Sequence, residues 1–174
     1  ANFFSEINSC DALLSTFKFG MLGAGVAQAL GAQIAKPNAK VVCIIGDGAM
    51  GFHIQELESA LRHQLPVIYV VLCDRQWGMV KLTQAIGLGA LRAVIGAEQE
   101  GTINADFEEI AFDRVASAMG CHGERISDPA EIEPALSACA EMLGGLDIVV
   151  ANAGIAPRTP VGRGTLADLQ ETIA

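Results

Sequence analysis

Positive charge is scarce in this chain. Eleven lysines and arginines face 20 aspartates and glutamates, a formal charge of −9 over 174 residues. Nothing in it resembles a basic stripe, which argues against nucleic acid as a partner. Long apolar runs are missing as well. Hydrophobic residues make up 51% of the chain, yet no run approaches the roughly 20 residues that cross a bilayer, so no membrane partner is expected. The longest, VIYVVLC, suits a buried strand. The five cysteines (Cys10, Cys43, Cys73, Cys121, Cys139) are odd in number and lack metal-type spacing. They point to a reduced, cytoplasmic protein and not to a disulfide scaffold. ANFFSEINSCDALL has no basic region ahead of a continuous apolar core, so no signal peptide is expected. Repeats and low-complexity tracts are absent too. The length fits one domain with a substantial core.

What the chain does have is an alternation of apolar strands and helical patterns. LGAGVAQALGAQIA (22–35), rich in small side chains, suits a helix packed closely on a sheet. KPNAK reads as a turn. VVCIIG (41–46) is a continuous apolar strand of the kind buried on both faces. GDGAMG then turns into FHIQELESALRH, where Ile54, Leu57 and Leu61 share one helical face. QLP ends that helix, and VIYVVLC (67–73) is a second buried strand, which makes a right-handed βαβ unit. Residues 83–103 are glycine-dotted and read as a long loop with at most one helix. ADFEEIAFDRVASAMG predicts an amphipathic helix with Phe107, Ile110, Ala111 and Val115 inward. CHGERIS reads as a short edge-like segment. DPAEIEPALSACAEML opens with Asp128 as N-cap and Pro129 at the first helical position. LDIVVAN (146–152) is a further strand. The fold class that follows is α/β, an open, mostly parallel sheet flanked by helices on both faces.

In such a sheet, ligands bind beyond the carboxyl ends of the strands. The two adjacent strands end in Gly46-Asp47-Gly48 and in Cys73-Asp74-Arg75-Gln76. A carboxylate at a buried strand end is costly to desolvate unless a positive charge meets it, and flanking glycines let the backbone come close to a ligand. Two carboxylates at one sheet edge can hold Mg²⁺ or Ca²⁺, which take carboxylate, carbonyl and phosphate oxygens. The helix starting near Gly51 favours a phosphate group at the same place. The bland alternative is a tight turn in which Asp47 caps the next helix.

Residues 20–81 resemble the diphosphate-binding domain of thiamine diphosphate enzymes of the acetolactate synthase, benzoylformate decarboxylase and pyruvate decarboxylase group. The family signature is GDG, a helix and strand, then paired asparagines. Here it reads GDGAMGFHIQELESALRHQLPVIYVVLCDRQWGMVK, and FGMLGAGVAQALGAQIA upstream is similar to the family's glycine-rich helix start. The resemblance implies a thiamine diphosphate-binding fold with thiamine diphosphate and Mg²⁺ as cofactors. It makes Asp47 and Asp74 side-chain metal ligands and Gln76 a backbone-carbonyl ligand. Gly48 and Ala49 would offer N–H groups to the diphosphate. Leu22 falls where the family keeps a bulky apolar residue that bends the cofactor's two rings together. Gly23 and Gly46 complete the cofactor-binding set, with Trp77, Gly78 and Met79 flanking the substrate side. For Trp77, ordinary packing is the equal alternative.

Three departures qualify the resemblance. The paired asparagines are Cys73-Asp74 here. Asp74 keeps an oxygen ligand and adds charge, whereas Cys73 removes an amide. The glutamate that activates the cofactor belongs to a separate pyrimidine-binding domain in this family. No catalytic residue is therefore assigned in this chain, and a pyrimidine-binding domain or subunit is the expected partner, in a homo- or hetero-oligomer acting on a small 2-oxo acid. His53, His63 and His122 read as packing or helix-face residues. Finally, the thiamine-type domain is expected over residues 1–143, while residues 144–174 (GGLDIVVANAGIAPRTPVGRGTLADLQETIA) resemble a short-chain dehydrogenase fragment that supplies a closing strand and an extension. With no glycine-rich nucleotide turn and one tyrosine, Tyr69, in a strand, no dehydrogenase site assembles. The implied function is the cofactor-binding domain of a 2-oxo acid decarboxylase or carboligase, incomplete on its own. The alternatives are a non-catalytic relic or assembly domain and, further off, a dehydrogenase-related nucleotide-binding fold.

Overall fold

The computed structural model describes residues 13–15, 20–95, 101–143 and 148–151. Those residues form two compact units. Of the described residues, one unit contains those up to Cys73 and those from Ile110 to Ala151, and the other contains those within Asp74–Glu109.

The first unit is built on a four-stranded parallel sheet. Its strands are β1 (Leu13–Leu14), β2 (Val41–Gly46), β3 (Val67–Leu72) and β4 (Ile148–Ala151), in the spatial order β1-β4-β2-β3. The expected α/β architecture is present. β2 pairs with β3 residue for residue, from Val41 opposite Val67 to Gly46 opposite Leu72. Strand β4 lies between β1 and β2 and does not close an edge. The rest of the dehydrogenase-like stretch, Asn152 and the extension at 157–174 included, lies outside the described residues, as does Cys10.

Helix α1 (Ala24–Ala35) packs on β2, β3 and β4. Its small side chains make that close approach possible, with Val26 and Ala29 fully buried. They join Val41, Cys43, Ile45, Ala49, Met50 and Leu57 in one core cluster. Side chains alternate across a strand, so the odd-numbered residues of β2 supply that cluster, and Val67, Tyr69 and Val71 of β3 border it. At the far end of α1, the buried Gln33 donates to the carbonyls of Pro37 and Ala39 at 3.1 and 3.0 Å, tying down the KPNA turn.

Several expectations need correction. The GDGAMG stretch is itself helical: α2 runs Asp47–His53 and α3 runs Glu56–Arg62. Between them Leu57 and Glu58 donate to the carbonyls three residues back, Ile54 and Gln55, both at 3.1 Å. This is a tightened helical turn. Of the residues expected on one helical face, Leu57 is buried and Leu61 is half exposed. Strand β3 is half-buried along its length because it is the last strand of the four. Helix α5 covers only Phe112–Ala118. Its core side is Phe112, Ala116 and, just beyond, Met119, whereas Ile110 is exposed. CHGERIS forms no strand. The Asp128 cap holds, accepting the Ala130 N–H at 2.9 Å, and a 3₁₀ turn (Pro129–Glu131) leads into α6 (Ile132–Leu143).

In the second unit, the stretch expected to be a loop is mostly helix α4 (Gly78–Ile95). The glycines lower helix propensity by about 1 kcal/mol each, but Met, Leu, Lys, Gln and Ala around them restore it. Cβ atoms at Gly87 or Gly89 would meet nothing within 4 Å, so neither glycine serves a close approach. Residues 105–107 are extended where a helix was expected. Asp106 bridges Gln76 in antiparallel fashion, and Phe107 donates to the Arg75 carbonyl at 2.8 Å. Pairing between residues far apart in the chain overrides the helical pattern there.

Candidate functional site

Asp47 is the first residue after β2, and only 5% of it is exposed. Gly46 stays extended (φ −74°, ψ 156°), and the chain turns into α2 at once. Oδ1 of Asp47 accepts the Gly48 N–H at 2.8 Å. This bond reaches only the next residue and is not a cap on α2, whose N-cap is Gly46 with no side-chain cap bond. It engages one oxygen of the carboxylate and one of the two N–H groups expected to face a diphosphate. Ala49 and Met50 are anchored in the core, which fixes the helix start. Beside the acid, a Cβ on Gly46 would meet nothing within 4 Å. The missing side chain leaves open space at the end of β2.

Leu22 and Gly23 form the turn before α1. Leu22 is exposed and Gly23 is buried, with a left-handed φ of +80°. Of the predicted residues in this unit, Gly46, Asp47, Gly48 and Ala49 sit together at the end of β2. Gly23 lies against the other end of α2, next to Phe52 and His53. The sequence offered no sign of that contact, since a positive φ leaves no trace beyond the glycine itself.

In the second unit, Asp74 is exposed and its Oδ2 accepts the Gln76 side-chain amide at 3.1 Å. Arg75 takes a left-handed φ of 56°. The Gln76–Asp106 bridge is held by Phe107 N–H to Arg75 O and Trp77 N–H to Ala105 O, both 2.8 Å. Those two bonds bypass the Gln76 carbonyl. Trp77 meets Phe107 edge to face at 4.6 Å, so packing is one of its roles. Gly78 opens α4, and Met79 is exposed.

Each unit thus presents hard oxygen donors of its own, the Asp47 carboxylate in the first and the Asp74 carboxylate with the Gln76 carbonyl in the second, the donor type that Mg²⁺ takes. Among the described residues, no three His, Cys, Asp or Glu side chains gather, which disfavours a softer all-protein metal cage. Burial pushes the Cys43 thiol up to about 12. It raises the Tyr69 hydroxyl as well, with smaller contributions from Cys43, Glu56 and Cys121. Both are core groups, and the Tyr69 hydroxyl donates to the Val26 carbonyl at 3.2 Å. No helix of the described residues is long and apolar enough to cross a membrane.

Comparison with known proteins decides the family. The profile of the thiamine pyrophosphate enzyme C-terminal TPP binding domain matches residues 2–150. The chain belongs to this family. As a thiamine diphosphate-binding domain it is similar to the acetolactate synthase large subunit IlvG of Mycobacterium tuberculosis, with 37% identity over 71% of this chain and 21% of that protein. The acetolactate synthase isozyme 2 large subunit of Escherichia coli is 38% identical over 67% of this chain and 20% of its own length. Among solved structures, the Rhodococcus jostii thiamine diphosphate-dependent 4-hydroxybenzoylformate decarboxylase matches with a TM-score of 0.53 and 25% identity. That match covers 75% of this chain and 22% of the neighbour. The thiamine diphosphate-binding domain described here thus spans about one fifth of the length of these relatives.

Proposed function

We propose that this thiamine diphosphate-binding domain anchors the cofactor's diphosphate through Mg²⁺ in a 2-oxo acid decarboxylase or carboligase of the acetolactate synthase type. The observation that carries the reading is the buried carboxylate of Asp47 at the end of β2, beside a glycine whose absent side chain leaves room for a ligand. In this proposal Asp47 and Asp74 ligate the ion through their side chains and Gln76 through its carbonyl. Strands β2 and β3 run parallel with Gly46 opposite Leu72, so the chain leaves both strands at the same edge of the sheet. Gly48 and Ala49 give their N–H groups to the diphosphate, so binding exchanges the Asp47–Gly48 bond for bonds to metal and phosphate. Leu22 supports the bent rings, Gly23 and Gly46 allow close backbone approach, and Trp77, Gly78 and Met79 border the substrate.

When bound, thiamine diphosphate supplies a carbon nucleophile and an electron sink for decarboxylation. This chain's residues bind and orient it. Activation is left to a pyrimidine-binding domain, on another segment or subunit of an oligomer, acting in the cytoplasm on a small 2-oxo acid.

Titration calorimetry of the chain with thiamine diphosphate tests this. Binding is expected with Mg²⁺ and not with EDTA, and decarboxylation is expected once a pyrimidine-binding domain is added. Equal affinity in both buffers would contradict the metal role and favour the assembly-domain alternative.

A further inference from the structure

Gly23 holds a conformation that few other residues adopt. Its φ is +80°, and it is buried at the N-cap of α1. A Cβ there would collide with Cδ2 of His53 and stand 3.0 Å from Nε2 of that ring and 2.9 Å from Cβ of Phe52. The imidazole therefore lies against the bare backbone of Gly23, nearer than any side chain would allow. His53 is the last residue of α2, and Asp47 is the first. One short helix thus carries the proposed metal ligand at its start and abuts the Leu22 turn at its end.

Among the described residues, that turn is otherwise held by Phe52 beside Gly23 and by the Val26 N–H donating to the Gly23 carbonyl at 3.1 Å. Met21 and Leu22 are 56% and 41% exposed. The backbone bond closing it, from Ala24 N–H to the Met21 carbonyl, is long at 3.4 Å, beyond the usual range for such bonds.

We propose that His53 is a positioning residue: its ring is a steric stop that holds Leu22 at a fixed place relative to the Asp47 helix. The proposal rests on the cofactor reading above. It assigns His53 bulk, not charge. Removing the ring frees the turn, so Leu22 no longer meets the cofactor rings, while the diphosphate end is untouched.

The test titrates the full chain, in Mg²⁺, with thiamine diphosphate and separately with inorganic pyrophosphate, which has no rings. His53→Ala is expected to weaken thiamine diphosphate roughly tenfold, the lower end for loss of a supporting partner, and to leave pyrophosphate unchanged. His53→Phe, which keeps a ring, restores wild-type affinity. Leu22→Ala gives the same selective loss, and the double variant is no weaker than either single one, as expected for two residues acting as a unit. If His53→Ala does not fold, His53→Val takes its place, keeping part of the bulk and giving a smaller loss that is still confined to thiamine diphosphate. Equal weakening of both ligands, a drop in thermal midpoint with neither affinity changed, or additive losses would overturn the positioning role. A wild-type chain that binds pyrophosphate with Mg²⁺ but not thiamine diphosphate would also overturn it. One that binds neither would overturn the cofactor reading first, and this role with it.

Discussion

Strands β2 and β3 are near twins in sequence and opposites in setting. Each is six residues long, and they pair in register along their whole length. β2 lies between β4 and β3 and is largely buried, whereas β3 is the last of the four strands and half-exposed. The acids that follow them differ in the same way. Asp47 is buried and starts a helix, while Asp74 is exposed and bonded to the Gln76 amide. A hydrated carboxylate carries no desolvation cost, so Asp74 alone would say little about function. A buried carboxylate carries that cost unless hydrogen bonds or a positive charge meet it, as the Gly48 N–H does in part for Asp47. The same residue type is therefore a stronger sign of a ligand at one strand end than at the other.

The comparison is tested first on stability. Ile45→Ala in β2 is expected to cost about 2–5 kcal/mol, the range for emptying a packed core site, and Ile68→Ala in β3 about half as much. Urea unfolding measures both, and equal losses would erase the distinction between inner and edge strand. Affinity comes next. Asp47→Ala should weaken Mg²⁺-dependent thiamine diphosphate binding by about 100-fold and Asp74→Ala by about tenfold, spanning the range seen for partners around a metal. A reversed order in calorimetry would mean that burial is a poor guide to the principal ligand. The cysteines offer a milder contrast. Cys73 is exposed and should react with a maleimide in the native protein, whereas buried Cys43 should react only on unfolding. Mass spectrometry of native and urea-treated samples separates them.

A last contrast is in alkaline stability. Burial raises the Cys43 thiol from 9.0 to about 12 in the folded chain, so the neutral form is favoured by folding. That stabilisation is complete below pH 9 and is lost as pH rises towards 12, by at most about 1.4 kcal/mol per pH unit. Cys43→Ala should flatten the decline measured between pH 9 and 11, and an unchanged slope would assign it to other groups.

Local features were the legible ones. The run VVCIIG reads as a buried strand because five apolar residues in succession have no solvated face, and the small residues of α1 announce close packing. The GDG carboxylate stood out because its cost is local too. What depends on distant partners stayed hidden. A two-residue strand such as β1 has no pattern of its own, and the place of β4 between β1 and β2 is a matter of pairing. The helical rhythm of ADFEEIAF gave way to the bonds that Phe107 and Asp106 make with residues 75–77. Glycines misled over α4, where the remaining residues outweigh Gly87 and Gly89. At the site, the type and placement of Asp47 were readable, but its bond to Gly48 and the ring of His53 against Gly23 were not.

A crystal structure of the chain grown with Mg²⁺ and thiamine diphosphate would be the most direct check. The account predicts a six-coordinate ion with an Asp47 oxygen at about 2.0–2.1 Å, and the Gly48 N–H turned from that side chain to a phosphate oxygen. An ion and diphosphate seated elsewhere, with the 2.8 Å bond between Asp47 and Gly48 intact, would contradict it.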